Sequence, residues 1–457
     1  MTPAFRSPSR ILAQLLPEAK LTLKLAFPIV FAQLGVVLMG VTDTIMIGRL
    51  LGKEALAAAG LGTSLSFVIA SIAVGGIPVI GPIIAKKRSA QEHHELSKIF
   101  RATMSISTRY AIAISGIACI LFFNFHLLGQ PKSVEYAAKV FFIIICASNI
   151  PLFYFIGLRQ TFDGFSRPQP AMYITFLGLL ANFLLNYVFI EYLGLNGAAY
   201  STLSVRIIML AALAIYFLYS QDLKLAFIKP HLKGVYDHYT KQFIRLSIPS
   251  GLQFFFEIAA FSSALVMMGW ISANALAAHQ IAINIAATTY MMAGGLAFAG
   301  GIRVGDALGL ANQKQVKIAG TSAFGLVFVF MSLTMCLIFT FRHSLVQLYI
   351  DDSEIEFLAQ KLLIIAAIFQ LSDGLQVVAL GNLRGLSDVK IPAYVTFMAY
   401  WLIALPLGYY LAFHTTLSAI GIWIALLIGL SVAGLLLIIR FYNQTHRLDI
   451  PETSGIA

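Results

Sequence analysis

The sequence predicts an all-α integral membrane protein with twelve transmembrane helices in two six-helix lobes related by internal pseudo-twofold symmetry. Three observations predict it. The 457-residue chain is 59% hydrophobic and only 11% charged, against the roughly 25% that a soluble domain carries to cover its surface. Its apolar residues gather into twelve runs of about the length needed to cross a bilayer, ~20 residues as a helix. The second half of the chain also echoes the first at an offset of about 221 residues.

Apolar runs bounded by polar, Pro or Gly stretches place the spans near 22–48, 55–85, 102–126, 136–158, 171–191 and 197–219, then near 244–270, 276–303, 317–341, 356–381, 392–413 and 418–441. The corresponding divisions are an N-lobe over 1–220, a cytoplasmic linker over 221–243, a C-lobe over 244–441 and a cytoplasmic tail over 442–457. Arg6, Arg10, Lys20 and Lys24 precede the first long apolar run and no small-residue cleavage site ends it, so it reads as an uncleaved first span.

The net charge of +11 raises the question of nucleic acid. The basic residues answer it by their placement. They gather in alternate gaps: Lys86, Lys87, Arg88, Lys98 and Arg101; Arg159 and Arg167; Lys224, Lys229, Lys233, Lys241 and Arg245; Arg303, Lys314 and Lys317; Arg384 and Lys390; Arg440 and Arg447. The opposite gaps hold only Arg49, Lys53, Lys132, Lys139, Arg342 and Lys361. Positive charge orients membrane proteins with the richer side inward, so both termini are expected in the cytoplasm and the chain in the inner membrane. No basic stripe interleaved with aromatics speaks for nucleic acid. Cys119, Cys146 and Cys336 are odd in number and lie in apolar runs, which argues against a disulfide framework.

The repeat keeps one register for some 150 residues. Leu25 to Pro28 (LAFP) matches Leu246 to Pro249 (LSIP), Ala55 to Ala58 matches Ala275 to Ala278, Gly75 and Gly76 match Gly294 and Gly295, and Gly164 and Ser166 match Gly385 and Ser387. The offset spans an even number of helices, which implies parallel repeats about an axis along the membrane normal. Pro28 and Pro249 occupy corresponding positions in spans 1 and 7. A proline there frees a backbone carbonyl and permits a bend, so the two are candidate conformational hinges.

In so apolar a chain the informative residues are the ionisable ones, since a charge at mid-bilayer costs about 3 kcal/mol on insertion scales. Asp43 in span 1, Glu257 in span 7 and Asp373 in span 10 are the three carboxylates that break the pattern. Two roles are open to each. One is binding H⁺ or Na⁺ in an internal cavity, with Na⁺ at Glu257 and Asp373 a candidate metal site. The other is structural, the carboxylate being satisfied by a helix terminus, a buried Arg or a water. Asn182 and Asn186 lie four apart on one face of span 5, and Ser201, Thr202 and Ser204 lie in span 6. Facing Asp43, they form a polar N-lobe site; as ordinary interhelical glue, they need no ligand. Gln33 is a further, weaker member. Arg109 and Arg206 either pair with a carboxylate or snorkel, and His279 reads as a packing group.

Absences narrow the class. Gly48 to Glu54 has the wrong spacing for a phosphate-binding loop and ends in Glu where Ser or Thr is needed. No HExxH, GxSxG or CxxC motif is present, so an enzyme lacks its usual parts. Secondary transport, with no cofactor beyond a coupling ion, is the economical expectation.

Four segments resemble one known family, the multidrug and toxic compound extrusion (MATE) transporters, in their NorM-like bacterial branch. They are LAFPIVFAQLG with VTDTIMIGRL in span 1, IPSGLQFFFE in span 7, ALAAHQIAIN with IRVGDALG in span 8, and FQLSDGLQVVALGNLRG in span 10. The resemblance implies two six-helix lobes about a central cleft that export lipophilic, often cationic drugs in exchange for H⁺ or Na⁺; separately, a functional monomer is expected. It implies that Glu257 and Asp373 couple the cation in the C-lobe and that Asp43, Asn182 and Asn186 form the N-lobe site. Where the DinF-like branch carries an acid this chain has Asn186, and where some NorM-like proteins carry a tyrosine it has Phe369. Two other classes remain in view: a flippase of lipid-linked oligosaccharides, which needs a cationic cavity, and an ion channel.

Overall fold

The computed structural model describes residues 8–128, 132–220, 235–350 and 352–448, and every regular element among them is helical. That outcome follows from the solvent. In lipid each backbone N–H and C=O must be satisfied within the chain, and a helix does this segment by segment. Twelve helices are long and apolar enough to cross a membrane: α1 (Pro8–Leu51), α2 (Lys53–Ser89), α3 (His93–Phe123), α4 (Lys132–Gly164), α5 (Gln169–Leu193), α6 (Leu195–Tyr219), α7 (Val235–Ile271), α8 (Ala273–Gly309), α9 (Gln313–Gln347), α10 (Ser353–Gly385), α11 (Lys390–Phe413) and α12 (Ala419–His446). Side chains such as Ile112, Phe123, Leu177, Leu337 and Leu435 are exposed on their outer faces, as lipid contact requires. Tyr136, Tyr192 and Tyr219 are exposed near helix ends, the usual depth of an interfacial aromatic belt. Cys119, Cys146 and Cys336 are all free thiols.

The helices outrun the apolar segments that announced them. Helix α1 begins at Pro8 and α7 at Val235, so the last part of the 221–243 linker is helical; its earlier part, 221–234, lies outside the described residues. Helix α4 continues to Gly164 and carries Arg159, assigned to a gap by hydropathy, inside the helix. Helix α12 runs to His446, into the stretch assigned to the tail, of which 449–457 lie outside the described residues.

The internal repeat extends to the turns. Gln91 and Ala311 have positive φ (58° and 49°), as do Ser166 and Ser387 (58° and 59°). In the second pair the closing bonds are the same: Ser166 N–H to Asp163 O and Arg167 N–H to Phe162 O, against Ser387 N–H to Arg384 O and Asp388 N–H to Leu383 O, all 2.9 Å. This paired 6→1 and 5→2 bonding caps a helix C-terminus with a left-handed residue. Local capping therefore differs little between the halves, whereas their side chains have diverged.

The chain divides into two compact units, one comprising Phe31–Phe255 and the other Met1–Val30 with Phe256–Ala457. We call them the N unit and the C unit. The division falls inside α1 and α7, shortly after Pro28 and Pro249, rather than in the linker. Within the C unit, the leading stretch of α1 is held by Glu18, which takes bonds from Arg303 Nε (2.6 Å), Arg303 Nη2 (3.0 Å) and Gln315 Nε2 (2.7 Å). Within the N unit, the leading stretch of α7 is held by Ser250 Oγ, which donates to Gly75 O (2.8 Å), and by Tyr239, whose hydroxyl donates to Glu95. Each six-helix set thus incorporates the start of the other set's first helix.

Close helix contact in the C unit depends on small residues. A Cβ on Gly381 of α10 would collide with the carbonyl of Ala297 on α8, and backbone cannot move aside as a side chain can. Gly381→Ala is expected to destabilise the protein by about 1–3 kcal/mol, seen as a lower unfolding temperature in detergent.

Helix α11 is interrupted. Its residues Met398–Ala404 form a π-helical turn, in which Leu405 N–H reaches back to Tyr400 O. Pro406 supplies the cause, because it has no N–H for the carbonyl of Leu402 and its ring crowds that carbonyl. The widened turn carries Tyr400 and Trp401, the latter donating from Nε1 to Phe256 O at 3.1 Å.

Candidate functional site

Each unit holds a cluster of polar groups built on carboxylates that the apolar pattern singles out. In the N unit the cluster is built on Asp43 of α1. Asn182 and Asn186 of α5 both donate through Nδ2 to Asp43 Oδ1, at 2.9 and 2.5 Å, and Thr202 Oγ1 of α6 donates to Oδ2 at 3.1 Å. The four-residue spacing of the asparagines puts both amides on one helix face. The sequence groups these four with Ser201 and Ser204 as one of two open readings; here Ser201 Oγ donates instead to Asn182 O at 3.4 Å.

Gln33 does not join them. It lies ten residues earlier on the same helix, about 15 Å away at 1.5 Å per residue, where its Oε1 accepts from Arg159 Nη1 at 3.4 Å. Around Arg159 is a second buried group that hydropathy missed. Asp163, fully buried, stands 3.6 Å from Arg159 Nε, one turn along α4, and neither of its carboxylate oxygens has a hydrogen-bond partner. Arg109 is exposed on α3, as a snorkelling residue would be. Arg206 is not: its Nη1 donates to Ser148 Oγ (2.7 Å) and Asn149 Oδ1 (2.8 Å) of α4.

In the C unit the cluster is built on Glu257 of α7 and Asp373 of α10, each 3% exposed and close enough for their charges to act on each other. Tyr290 of α8 and Tyr400 of α11 lie within the field of both carboxylates, and Arg384 within that of Glu257. Gln370 and Gln376 flank Asp373 at a spacing of three, on one face of α10. Thr289 Oγ1 donates to Gln370 Oε1 (2.6 Å) and Tyr400 to Gln376 Oε1 (3.1 Å), while both glutamine Nε2 atoms are buried without a partner. Two amides with spare donors therefore line the helix face that carries the acid.

The environment of Phe369 answers the missing hydroxyl at that position. Its ring packs edge-on against Phe261 and Trp423, and Trp423 Nε1 donates to His279 Nδ1 at 3.1 Å. His279 is thus a hydrogen-bonded packing group, and Tyr290 and Tyr400 are tyrosines within the field of the carboxylates. Among the described residues no three His, Cys, Asp or Glu side chains converge as metal ligands.

The family model described as MatE matches the chain twice, over residues 28–188 and 249–410. The two matches begin at Pro28 and Pro249, in the register of the internal repeat. The chain belongs to the MatE family. It is 32% identical to the "Probable multidrug resistance protein NorM" of Mesorhizobium japonicum, over 98% of each chain. It is 33% identical to the protein of the same name from Bradyrhizobium diazoefficiens, over 93% of this chain and 94% of that one. To the "Multidrug resistance protein MdtK" of Yersinia pestis strain Pestoides F it is 31% identical, over 93% and 95%. Its fold matches the eukaryotic MATE transporter AtDTX14, with a TM-score of 0.85 at 20% identity over 95% of this chain and 99% of that one. It also matches an outward-facing multidrug resistance MATE transporter, with a TM-score of 0.86 at 20% identity over 94% and 96%. MATE proteins are secondary transporters, so this multi-pass chain is a transporter and not an enzyme.

Proposed function

We propose that this MatE-family protein is a multidrug exporter of the inner membrane, with both termini cytoplasmic, acting as a monomer and moving lipophilic, often cationic compounds outward in exchange for H⁺ or Na⁺. The observation that carries the reading is the pair of buried carboxylates in the C unit, Glu257 and Asp373, set among hydroxyl and amide groups. Two acids within each other's field hold one or two cations more readily than none, because like charges in a low dielectric repel. A proton needs only the carboxylates; a Na⁺ ion would take them with neutral oxygens. The printed names of the relatives supply the substrate class.

Ion and drug need only be energetically exclusive for exchange to follow. Ion binding at Glu257 and Asp373 removes negative charge, lowers the affinity for a cationic drug and favours its release. Bends at Pro28 and Pro249 supply the alternation of access. One net positive charge entering across 100 mV provides ~2.3 kcal/mol, enough for roughly a fiftyfold drug gradient. The basic gaps on one side of the span pattern support the orientation. A flippase would need a cationic cavity for pyrophosphate, whereas Arg109 is exposed and Arg206 is bonded to Ser148 and Asn149 of α4.

The test is ethidium efflux from bacteria lacking their own pumps, with Na⁺ and pH varied independently. Efflux above the vector control that follows one ion supports the proposal and names the ion. Wild-type protein in the membrane with no efflux of any cationic dye refutes it.

A further inference from the structure

The N-unit cluster contains a cation of its own. Arg206 lies one turn after Thr202 on α6, so both side chains leave the same helix face, and Thr202 already donates to Asp43. The Arg206 and Asp43 charges act on each other across the cluster rather than through a direct bond. Ser148 and Asn149 hold the guanidinium from α4. Asn149 is itself fixed, its Nδ2 donating to Ser66 Oγ of α2 at 3.0 Å. On the acid's side, two amides occupy Oδ1 and a hydroxyl occupies Oδ2, so three of about four acceptor positions are filled from within the protein.

We propose that Arg206 is the built-in counterion of Asp43, a positioning and specificity-determining residue that makes the N-unit cluster electrically neutral. Resting on the drug-export reading, it assigns the two clusters different tasks. The N-unit cluster offers polar contacts without a net attraction for cations, and ion exchange belongs to Glu257 and Asp373. Removing the acid leaves an uncompensated cation; removing the arginine leaves an uncompensated anion. The two changes therefore act on a cationic ligand in opposite directions, and together they cancel.

Ethidium binding to the purified full-length protein, followed by fluorescence, tests this as a double-mutant cycle. Arg206→Gln is expected to tighten binding by on the order of tenfold and Asp43→Asn to weaken it by a similar factor. The double variant returns toward wild type. Arg206→Lys, which keeps the charge and alters the hydrogen bonds, stays closer to wild type than Arg206→Gln. A purely structural arginine predicts weakening or no change in Arg206→Gln and no recovery in the double variant, and either result overturns the proposal. The same four proteins are melted without ligand. Recovery of unfolding temperature in the double variant supports the pairing and additive losses refute it, even if wild type binds no ethidium and the export reading itself fails.

Discussion

Glu257→Gln and Asp373→Asn are each expected to reduce ion-driven efflux about 100-fold while leaving folded protein in the membrane. The size follows from coupling. Linkage between two ligands on one protein is worth 1–3 kcal/mol, and its upper end is a factor of about 100. An amide at either position keeps the volume and most hydrogen-bonding capacity of the acid but cannot exchange a cation. Stability should not suffer. Both carboxylates are buried and lie in each other's field, and burying like charges together is costly, so a neutral isostere removes a strain instead of adding one. Efflux rates normalised to membrane expression, together with unfolding temperatures, check both halves of this expectation. Wild-type efflux in either variant would remove that carboxylate from the exchange.

Asp43→Leu has a large effect of a different kind. It removes the common acceptor of Asn182, Asn186 and Thr202 and takes the opposite charge away from Arg206. Asn182 and Asn186 are buried, and leaving a buried donor without its acceptor costs about 1–3 kcal/mol per group. Asp43→Leu should therefore unfold at a markedly lower temperature or fail to accumulate. Asp43→Asn should be milder, since its amide oxygen still accepts from one or two of the donors. Equal stability of Asp43→Leu and wild type would mean that the cluster is solvated and carries none of the fold.

The contrast between the clusters also shows what a sequence discloses. Asp43, Asn182, Asn186 and Thr202 could be grouped in advance because a carboxylate in an apolar run demands partners and a spacing of four supplies them on one face. Gln33 could not be excluded in the same way, because membership in a span does not fix depth; only the rise along α1 separates it from Asp43. Tyr290 and Tyr400 carried no signal, as tyrosine is common in spans and nothing in the chain distinguishes these two among 18. Gln370 and Gln376 did carry one, lying three residues either side of Asp373. The widened turn at Tyr400 was prefigured by Pro406, although a proline announces a break without saying whether it will be a kink or a π-turn.

Helix ends were least legible for a physical reason. Hydropathy reports where an apolar run ends, whereas α1 and α7 extend beyond their apolar runs, held by side-chain bonds such as Glu18 with Arg303 and Tyr239 with Glu95. The same blindness left Arg159 and Asp163 outside a span. The assignment of helix starts to opposite units was also hidden, because a repeat in sequence says which residues correspond and not which ones pack together.

In this mechanism drug and ion exclude each other through Glu257 and Asp373. Its most direct test is ion release from the purified protein on adding ethidium in weakly buffered solution, with H⁺ and Na⁺ monitored separately. Wild type is expected to release one of the two, and a Glu257→Gln, Asp373→Asn double variant to lose that release. Drug binding with no ion released by wild type, or with undiminished release by the double variant, would contradict it.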